Sequence, residues 1–509
     1  MLGALLAALL TGATARHAMI ATAHHDATQA GISILRAGGN AVDAAIGVAY
    51  ALAVVDPCCG NIGGGGFMLI RLHDGRERFL DFRETAPLRA TPTMFLDRDG
   101  NVRTQASRKG WLAVGVPGTV AGMETARREF ATMSRPRLMA PAIALARQFN
   151  PQLAGTLALI AKDGSDAFYR GPIAREIVRA SEAHGGILTL RDFSEYLVEE
   201  PEPIHCTFGA YDLTSAPPPS SGGVTLCEIL NILAPYPLQA WGWHDLRFLH
   251  YATEAERRAF ADRNAYLGDP SFVANPVVQL LAPSYAAKLR SEILPDRATP
   301  SSEVRPGLGT VAKEGEDTTH YSIVDRWGNA VAVTYTLNDS FGAGVVAGDT
   351  GFLLNDEMDD FTSKPGVANM YGLVQGERNV IEPGKRPLSS MTPTIVTQHG
   401  MLRMVTGSPG GPRIVTTTLE TLLDVLVYSM SAQTAVDAPR THMQWLPDVL
   451  DYEPGAFNTA TARALQRMGY TLNGVPKWGS AQAVAVNART GLLEGGSDRR
   501  TPAGSAAGY

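Results

Sequence analysis

The chain has 509 residues, of which 45% are hydrophobic and 18% are charged, so it can form a large core and does not have the composition of a disordered protein. Its formal net charge of −6 argues against a nucleic-acid-binding protein, because such proteins usually carry a basic surface. The 52 glycines, about one residue in ten, are typical of a large globular enzyme with tight turns and close backbone approaches.

The N-terminal residues have features of a secretory signal. An apolar run from residue 2 to residue 10 is too short to cross a bilayer, which takes ~20 residues. Ala13-Thr14-Ala15 then has the small-x-small form of a signal-peptidase site, although no basic side chain precedes the apolar run. We expect a signal peptide that is removed near Ala15, and a periplasmic or secreted protein; a short buried helix is the alternative. No later segment predicts a membrane span.

The first half of the chain is predicted to be mainly helical. Asn40 is the expected N-cap of an alanine-rich helix that ends near Val55. A glycine-rich loop at residues 60–66 precedes a buried strand at 67–70. Because it lacks the G-x-G-x-x-G spacing of a dinucleotide-binding loop, we interpret it as a place of close backbone approach. Further helices are predicted at residues 120–130, 139–148, 224–233 and 246–266.

From Thr318 onward the hydrophobic period changes to two. Residues 318–325 are predicted to form a strand, residues 326–329 a turn, and residues 330–337 the partner strand of a hairpin. A second strand pair is predicted at residues 392–397 and 402–406, followed by a helix at 413–428. The preceding segment, residues 305–317, is loop-like and rich in glycine and charge.

The four cysteines are too few for a disulfide framework and form no C-x-x-C pair. The adjacent Cys58 and Cys59 do not easily bridge to each other, and a bridge between Cys206 and Cys227 is possible but has no support in the sequence. We therefore expect four free thiols, buried or partly buried.

Common catalytic motifs are absent: the chain has no G-x-S-x-G, no H-E-x-x-H and no phosphate-binding G-x-x-x-x-G-K-[ST]. We expect neither a cofactor nor a metal site. Four other segments combine hydroxyl, carboxylate, amide and basic side chains, at residues 317–320, 334–338, 355–361 and 385–391, with glycines at 407–411 downstream.

These segments resemble the γ-glutamyltranspeptidases, of the bacterial secreted type, which are members of the N-terminal-nucleophile hydrolase superfamily. The resemblance runs from about Met19 to Tyr509. It rests on GGNAVDAA at residues 38–45, DFRE at 81–84, PPPSSGG at 217–223, TTHY at 318–321, TYTLN at 334–338, MDDF at 358–361, PLSSM at 387–391 and GSPGG at 407–411. The fold it implies is α+β, a four-layer αββα sandwich formed by two chains cut from one precursor.

The resemblance implies that the precursor cuts itself between Asp317 and Thr318. Residues 1–15 would be the signal, residues 16–317 the large subunit and residues 318–509 the small subunit of a heterodimer. The new α-amine of Thr318, with a pKa of about 7.7–8.0, can take the proton from its own hydroxyl, which explains the absence of a catalytic triad. Thr336 would orient this nucleophile, and the backbone N–H groups of Gly410 and Gly411 would form the oxyanion hole.

A γ-glutamyl group carries an α-carboxylate and an α-ammonium, so its pocket needs charges of both signs. The resemblance assigns Arg83 to the binding of the α-carboxylate. It also implies a lid loop at residues 365–376, which contains Tyr371 and would close over the acyl-enzyme. The hydroxyls expected beside Arg83 are those of Ser389 and Ser390. The groups expected around the ammonium are those of Asp360, Asn338 and Glu357.

The activity implied is γ-glutamyl transfer and hydrolysis, with glutathione or another γ-glutamyl amide as donor and water, an amino acid or a dipeptide as acceptor. Alternatives are a glutaryl-cephalosporin acylase, a poly-γ-glutamate depolymerase, or an inactive relative. Asp360 argues against the acylase, because a glutaryl group has no ammonium, and a lid argues against a long polymer. The chain is several tens of residues shorter than the family pattern between Gln148 and Gln152, which is the support for an inactive relative.

Overall fold

A computed structural model of the chain describes residues 12–103, 105–306, 317–364 and 376–509. The apolar run at residues 2–10 and the expected lid residue Tyr371 lie outside the described residues. The helices are α1 His25–Arg36, α2 Ala41–Val55, α3 Thr119–Phe130, α4 Arg135–Phe149, α5 Pro151–Asp163, α6 Ser165–Tyr169, α7 Pro172–Ala183, α8 Leu190–Ser194, α9 Gly222–Leu233, α10 Leu238–Trp241, α11 Leu246–Tyr266, α12 Val277–Leu280, α13 Pro283–Ser291, α14 Arg413–Leu426, α15 Ala432–Asp437 and α16 Thr459–Arg467.

The strands belong to two large sheets and one small one. They are β1 Ala13–Ala15, β2 Met19–Thr22, β3 Gly65–Arg71, β4 Glu77–Phe82, β5 Ile204–Phe208, β6 Tyr211–Ser215, β7 Asp317–Val324, β8 Ala330–Asn338, β9 Thr394–Gln398, β10 Met401–Gly407, β11 Thr441–His442, β12 Leu450–Tyr452, β13 Leu472–Gly474, β14 Gln482–Val486, β15 Leu493–Ser497 and β16 Ser505–Gly508. Short 3₁₀ helices cover Trp111–Ala113, Glu357–Asp360 and Glu377–Asn379.

Both large sheets are antiparallel. The six-stranded sheet has the order β16-β2-β7-β8-β3-β4, so that β7 lies inside the sheet between β2 and β8. The seven-stranded sheet has the order β1-β15-β14-β10-β9-β6-β5. A small three-stranded sheet, β11-β12-β13, lies beside them in the C-terminal part.

Apolar side chains fill three layers between the sheets and helices. The two sheets share a core, in which Phe67 and Leu69 of β3 cluster with Val405 of β10 and Val484 of β14. Helices α1–α7 pack on the outer face of the six-stranded sheet, and helices α9, α11 and α14 pack on the outer face of the seven-stranded sheet. This arrangement confirms the predicted α+β fold with four αββα layers.

The predicted elements around the hairpin and the glycine-rich loop are confirmed. Asn40 caps α2 in a capping box with Asp43, because each side chain accepts a hydrogen bond from the other residue's backbone N–H. In the hairpin turn, Asp325 Oδ1 accepts hydrogen bonds from the N–H groups of Trp327 and Asn329, and Gly328 takes the positive φ of 88° that the turn requires.

The prediction of four free thiols is wrong. The structure contains two disulfides, Cys58–Cys59 and Cys206–Cys227. The second joins β5 to α9, whose packing brings together two residues 21 positions apart, a proximity that the local sequence does not encode. The first lies in the turn after α2, which presents both sulfurs on the same side of the backbone.

The segment expected to be shortened is a compact junction. Helix α4 ends at Phe149 and α5 begins at Pro151, with Asn150 between them. The Asn150 side chain accepts a hydrogen bond from Leu153 N and donates one to the carbonyl oxygen of Gly351. The two helices therefore continue into each other through a capped turn, and this turn is anchored to the C-terminal half of the chain.

Two observations concern membranes and the start of the chain. Within the described ranges, no helix combines the length and apolar character needed to cross a bilayer. Ala13–Ala15 forms the edge strand of the seven-stranded sheet by pairing with β15, so that a cut after Ala15 would remove β1. The expected cleavage near Ala15 stays a prediction.

Candidate active site

Thr318 lies near the start of the interior strand β7, where two residues of β8, Thr336 and Leu337, stand opposite it as a bulge in β8. Asp317 is paired with Asn338 but Thr319 is paired with Tyr335, so the register between β7 and β8 shifts at Thr318. A bulge re-aims a side chain and interrupts pairing, and it is a common device beside active sites. The Thr318 side chain is buried, and its Oγ1 donates a hydrogen bond to Oγ1 of Thr336, 3.4 Å away on β8.

The position of Thr336 is fixed from two sides. Its Oγ1 also accepts a 2.8 Å hydrogen bond from the backbone N–H of Asn338. On the other side, β3 approaches so closely that a Cβ atom on Gly64 would lie 1.8 Å from the Thr336 carbonyl oxygen. This contact confirms the interpretation of the glycine-rich loop as a close backbone approach, and it shows that the approach holds the strand that carries Thr336.

Gly410 and Gly411 follow strand β10 and precede helix α14. Their φ angles are 130° and 56°, in the region that favours glycine. The carbonyl oxygens of the two glycines accept hydrogen bonds from Arg413 N and Ile414 N, so that this turn leads directly into the first turn of the helix. The N-terminal end of a 14-residue helix carries a partial positive charge, which favours an oxyanion nearby.

Arg83, immediately after β4, is the centre of a buried charge cluster. Its Nη1 lies 2.5 Å from Glu357 Oε1 and 3.8 Å from Glu84 Oε2, and its Nη2 donates a 2.5 Å hydrogen bond to Asp360 Oδ2. The Arg83, Glu84 and Glu357 side chains are each 1% exposed. The sequence predicts that Arg83 and Asp360 bind two different charges of the substrate. In the structure the two side chains form an ion pair with each other.

The cluster around Arg83 contains three carboxyl groups, and their burial makes the ionised form of each less favourable. Desolvation raises the pKa of Glu84 to about 7, against the opposing effect of Arg83. The same cause raises the pKa of Glu357 well above its ordinary value and also raises the pKa of Asp360. Burial therefore disfavours the ionised form of all three carboxyls, and a cation bound among them would offset this cost.

Ser389 and Ser390 are held by the segment at residues 217–223. Ser389 N donates to the carbonyl oxygen of Pro219, and Ser221 N donates to that of Ser389. Arg263, buried in α11, donates from Nη2 to Ser390 Oγ at 3.2 Å and from Nε to Ser221 Oγ at 2.8 Å. This second guanidinium thus connects two of the segments that the sequence singled out.

The structure brings the sequence-predicted residues together around two cavities that meet at Thr318. The smaller cavity, of about 20 Å³, is lined by nine of them, Arg83, Thr318, Thr336, Asn338, Glu357, Asp360, Ser389, Ser390 and Gly411. The larger cavity, of about 400 Å³, is lined by Thr318 and Gly410 together with Asp56, Cys58, Cys59 and Trp478.

Sequence reasoning missed several residues of this region. Glu84 stands beside Arg83 in a segment that had been singled out, so its position was a usable signal. Arg263 lies in the middle of a long helix, and no local pattern distinguished it. Asp56 and the cysteine pair were not assigned to any site, because the turn that brings them to the nucleophile's cavity is a tertiary feature.

Comparison with known proteins finds similarity to one family along nearly the whole chain. The family model described as Gamma-glutamyltranspeptidase matches residues 27–149 and 148–508. The glutathione hydrolase proenzyme of Pseudomonas sp. (strain A14) is 49% identical over 546 residues, covering 97% of this chain and 95% of that protein. The glutathione hydrolase proenzyme of Escherichia coli (strain K12) is 43% identical over 538 residues, covering 97% and 92% respectively.

A solved structure supports the fold, and the alignments locate the shortened segment. The cephalosporin acylase from Bacillus halodurans superimposes with a TM-score of 0.86 at 27% identity, covering 98% of this chain and 97% of that one. The 546 positions of the alignment with the Pseudomonas sp. protein exceed the 509 residues of this chain, so part of that relative has no counterpart here. The two matches of the family model meet at residues 148 and 149, where α4 passes into α5.

The family model covers nearly all of the chain, and two relatives above 40% identity span more than nine-tenths of it. The chain therefore belongs to the γ-glutamyltranspeptidase family.

Proposed function

We propose that the chain is a proenzyme that cuts itself between Asp317 and Thr318 and then transfers or hydrolyses the γ-glutamyl group of glutathione and related γ-glutamyl amides. The observation that carries this proposal is the position of Thr318 at the meeting point of two cavities. An acyl-transfer enzyme needs the acyl group on one side of its nucleophile and the leaving group or acceptor on the other.

The smaller cavity has the charges that a γ-glutamyl group requires. Its α-carboxylate would pair with Arg83, supported by the hydroxyls of Ser389 and Ser390. Its α-ammonium would lie among the carboxylates of Asp360 and Glu357, with Asn338 beside them. A cavity of about 20 Å³ holds little more than one water molecule.

Entry of the donor therefore requires the ion pair between Arg83 and Asp360 to open. The exchange keeps these charges paired, because the carboxylate of the zwitterionic donor would replace Asp360 beside Arg83 and its ammonium would replace Arg83 beside Asp360. A donor with only one of the two charges would leave either the guanidinium or the carboxylate without its partner in a buried site, at a cost of several kcal/mol.

In the proposed reaction, the α-amine of the mature Thr318 takes the proton from the Thr318 hydroxyl, whose orientation is set by Thr336. The hydroxyl oxygen attacks the γ-carbonyl carbon, and the resulting oxyanion accepts hydrogen bonds from the N–H groups of Gly410 and Gly411. The leaving amine takes the proton and departs through the larger cavity. Water or an acceptor amine then enters through that cavity and cleaves the γ-glutamyl ester.

Maturation would use the same hydroxyl. In the precursor, Thr318 Oγ1 attacks the carbonyl carbon of Asp317, the amide shifts to an ester, and water releases the two chain ends. The large subunit would keep β2–β4 and the small subunit β7, β8 and β16 of the six-stranded sheet, so the heterodimer would stay joined by backbone hydrogen bonds. Tyr371, in the expected lid at residues 365–376, would limit the entry of water.

We also propose that the protein is exported, to the periplasm or beyond. Disulfides persist in oxidising compartments, and the chain has two. The proposed signal at residues 1–15 is compatible with the sheet only if the loss of β1 at its edge is tolerated. N-terminal sequencing of the mature large subunit tests this part of the proposal: a first residue after Ala15 supports removal at this site, and a retained Met1 refutes it.

A second candidate activity is that of a glutaryl-cephalosporin acylase, which the structural similarity to a cephalosporin acylase favours. The two activities differ in whether the donor carries an α-ammonium. Purified protein would be assayed with glutathione, with and without glycylglycine as acceptor, and in parallel with a glutaryl amide of the same leaving group. Turnover of the γ-glutamyl donor at the higher kcat/KM supports the proposal, and preference for the glutaryl donor contradicts it.

A further inference from the structure

The larger cavity contains a disulfide between adjacent cysteines that no step of the proposed reaction uses. Cys58 and Cys59 both line this cavity together with Thr318, and both are partly exposed. A disulfide exchanges with thiols when a thiolate can reach one of its sulfurs. The second disulfide differs, because Cys227 is fully buried within α9 and its partner Cys206, although partly exposed, lines neither cavity at Thr318.

If the proposed function is correct, the reaction itself delivers a thiol to the larger cavity. When Thr318 attacks a γ-glutamyl donor, the amide leaving group lies on the side of the larger cavity. With glutathione, that leaving group is cysteinylglycine, which carries a thiol. The substrate's own thiol is thereby brought into the compartment that contains the Cys58–Cys59 disulfide.

The surroundings of the disulfide offer a partner for a released thiol. Asp56 Oδ1 lies 3.3 Å from Cys58 Sγ, a distance at which a thiol S–H can donate a hydrogen bond to a carboxylate. Thr319 Oγ1 donates to the other oxygen of the same carboxylate at 3.5 Å, which ties Asp56 to the residue that follows the nucleophile.

The backbone of the cysteine pair is joined to the catalytic strand. The carbonyl oxygen of Cys59 accepts a 3.1 Å hydrogen bond from Leu337 N, and that of Cys58 accepts a 2.8 Å bond from Phe341 N. Leu337 lies between Thr336 and Asn338, both of which line the smaller cavity. These two bonds join the cysteine pair to the end of β8 and to the residues that follow it, and they are the route by which a change in the covalent state of the cysteines would reach the smaller cavity.

We propose that Cys58–Cys59 is a thiol-exchange site through which low-molecular-weight thiols, including the thiol of the donor, modify the enzyme covalently. The incoming thiolate attacks one Sγ, the Cys58–Cys59 bond breaks, and a mixed disulfide forms while the displaced cysteine takes the proton that the incoming thiol lost. A second thiol then attacks the mixed disulfide. This step releases a low-molecular-weight disulfide and leaves two protein thiols, so two thiols are oxidised as one protein disulfide is reduced.

The test uses N-acetylcysteine, a thiol without a γ-glutamyl group, so that thiol chemistry is separated from donor turnover. The mature enzyme is incubated with N-acetylcysteine, free thiols are blocked with N-ethylmaleimide, and the modified peptides are identified by mass spectrometry. Activity is followed in the same samples with γ-glutamyl-p-nitroanilide, a donor without a thiol. We expect modification of Cys58 and Cys59 at least about tenfold faster than that of Cys206 and Cys227, and a parallel change in kcat/KM.

Two variants make the test specific. In Cys58→Ser/Cys59→Ser, kcat/KM for the anilide should no longer depend on N-acetylcysteine, and in Cys206→Ser/Cys227→Ser the dependence should remain. If the first double variant does not fold, Cys59→Ser alone should be alkylated by N-ethylmaleimide at Cys58 without reduction. Equal labelling of both pairs, or labelling of Cys58 and Cys59 with no change in kcat/KM, would overturn the inference. An enzyme that does not turn over the anilide refutes the proposed function instead, while the labelling still tests the site.

Discussion

The hydroxyl of Thr318 donates a hydrogen bond to the hydroxyl of Thr336 across the β7–β8 pair, at a distance of 3.4 Å. The register that pairs Thr319 with Tyr335 places Thr318 opposite Thr336, and the extra residue of β8 is accommodated just beyond this pair, before Asp317 pairs with Asn338. The proposed nucleophile and its proposed orienting group therefore stand on two adjacent interior strands, which hold them more rigidly than loops would.

The ion pair between Arg83 and Asp360 predicts which substrates each variant loses. Asp360→Asn should lower kcat/KM for a γ-glutamyl anilide by about 30- to 5,000-fold, since it leaves the buried ammonium without a counter-charge at a cost of about 2–5 kcal/mol. The same variant should use a glutaryl anilide no worse than the parent enzyme, because that donor has no ammonium.

Arg83→Ala supplies the comparison, since both donors lose their partner if Arg83 binds the carboxylate that they share. Parallel measurement of kcat/KM for the two anilides in both variants decides the assignment. If Asp360→Asn harms the two donors equally, Asp360 does not bind the ammonium, and if Arg83→Ala changes neither, the small cavity is not the donor pocket.

A substitution at Gly64 is predicted to shift Thr336 through its backbone, while every proposed catalytic side chain is kept. A Cβ atom at Gly64 would lie 1.8 Å from the Thr336 carbonyl oxygen, so Gly64→Ala must displace β8. A displacement of about 1 Å in a catalytic group can reduce the rate about a hundredfold. We expect slower self-cleavage on a denaturing gel and a similar loss of turnover.

Gly155→Ala is the matched control, because this glycine lies in helix α5 and a Cβ there meets no atom within 4 Å. It should leave both activities unchanged and raise Tm slightly, since alanine favours a helix over glycine by up to about 1 kcal/mol. Normal cleavage and turnover in Gly64→Ala would show that the close approach has no role in positioning Thr336.

Glu84 predicts a pH dependence of stability. Burial raises the pKa of its carboxyl from an ordinary value of 4.5 to about 7 in the folded protein, so the folded state holds this proton more tightly than the unfolded state. The stabilisation is complete below about pH 4.5 and is lost as the pH rises to about 7, a difference of order 3 kcal/mol. Glu84→Gln replaces the carboxyl with a group that does not ionise, so the variant should not lose this stability as the pH rises.

The variant should therefore melt at a higher Tm than the parent at about pH 8 and at a similar Tm at about pH 5, as measured by differential scanning fluorimetry. Glu182→Gln, at an exposed position on α7, should show no such difference. A Glu84→Gln effect that is equal at both pH values would contradict the prediction, because the parent carboxyl would then not change its ionisation between pH 5 and pH 8.

Much of the fold was predictable because its signals are local. The capping box at Asn40 and the Asp325–Asn329 turn are written in consecutive residues, and the strands on either side of that turn alternate with period two. The site residues were predictable for another reason, since the motifs that contain them resemble one family. Those motifs named Arg83 and Asp360 as charged groups of one pocket but did not predict that the two would pair with each other.

What the sequence did not predict depends on distant contacts. Arg263 acts on Ser390 from 127 positions away, and nothing in the α11 pattern distinguishes it from a surface arginine. The disulfide between Cys206 and Cys227 exists because α9 packs against β5. Cys58 and Cys59 reach the cavity of Thr318 only through the turn that follows α2.

The most direct test of the central claim is the Thr318→Ala variant, followed by a denaturing gel and an assay with glutathione. Because this substitution removes the oxygen that attacks both Asp317 and the donor, we predict one full-length chain and no γ-glutamyl transfer. Thr318→Ser, which keeps the oxygen but lacks the methyl group that restricts χ1, should be cut slowly and show weak activity. Two chains on the gel, or turnover of glutathione by Thr318→Ala, would contradict the account, because the nucleophile would then be a different residue.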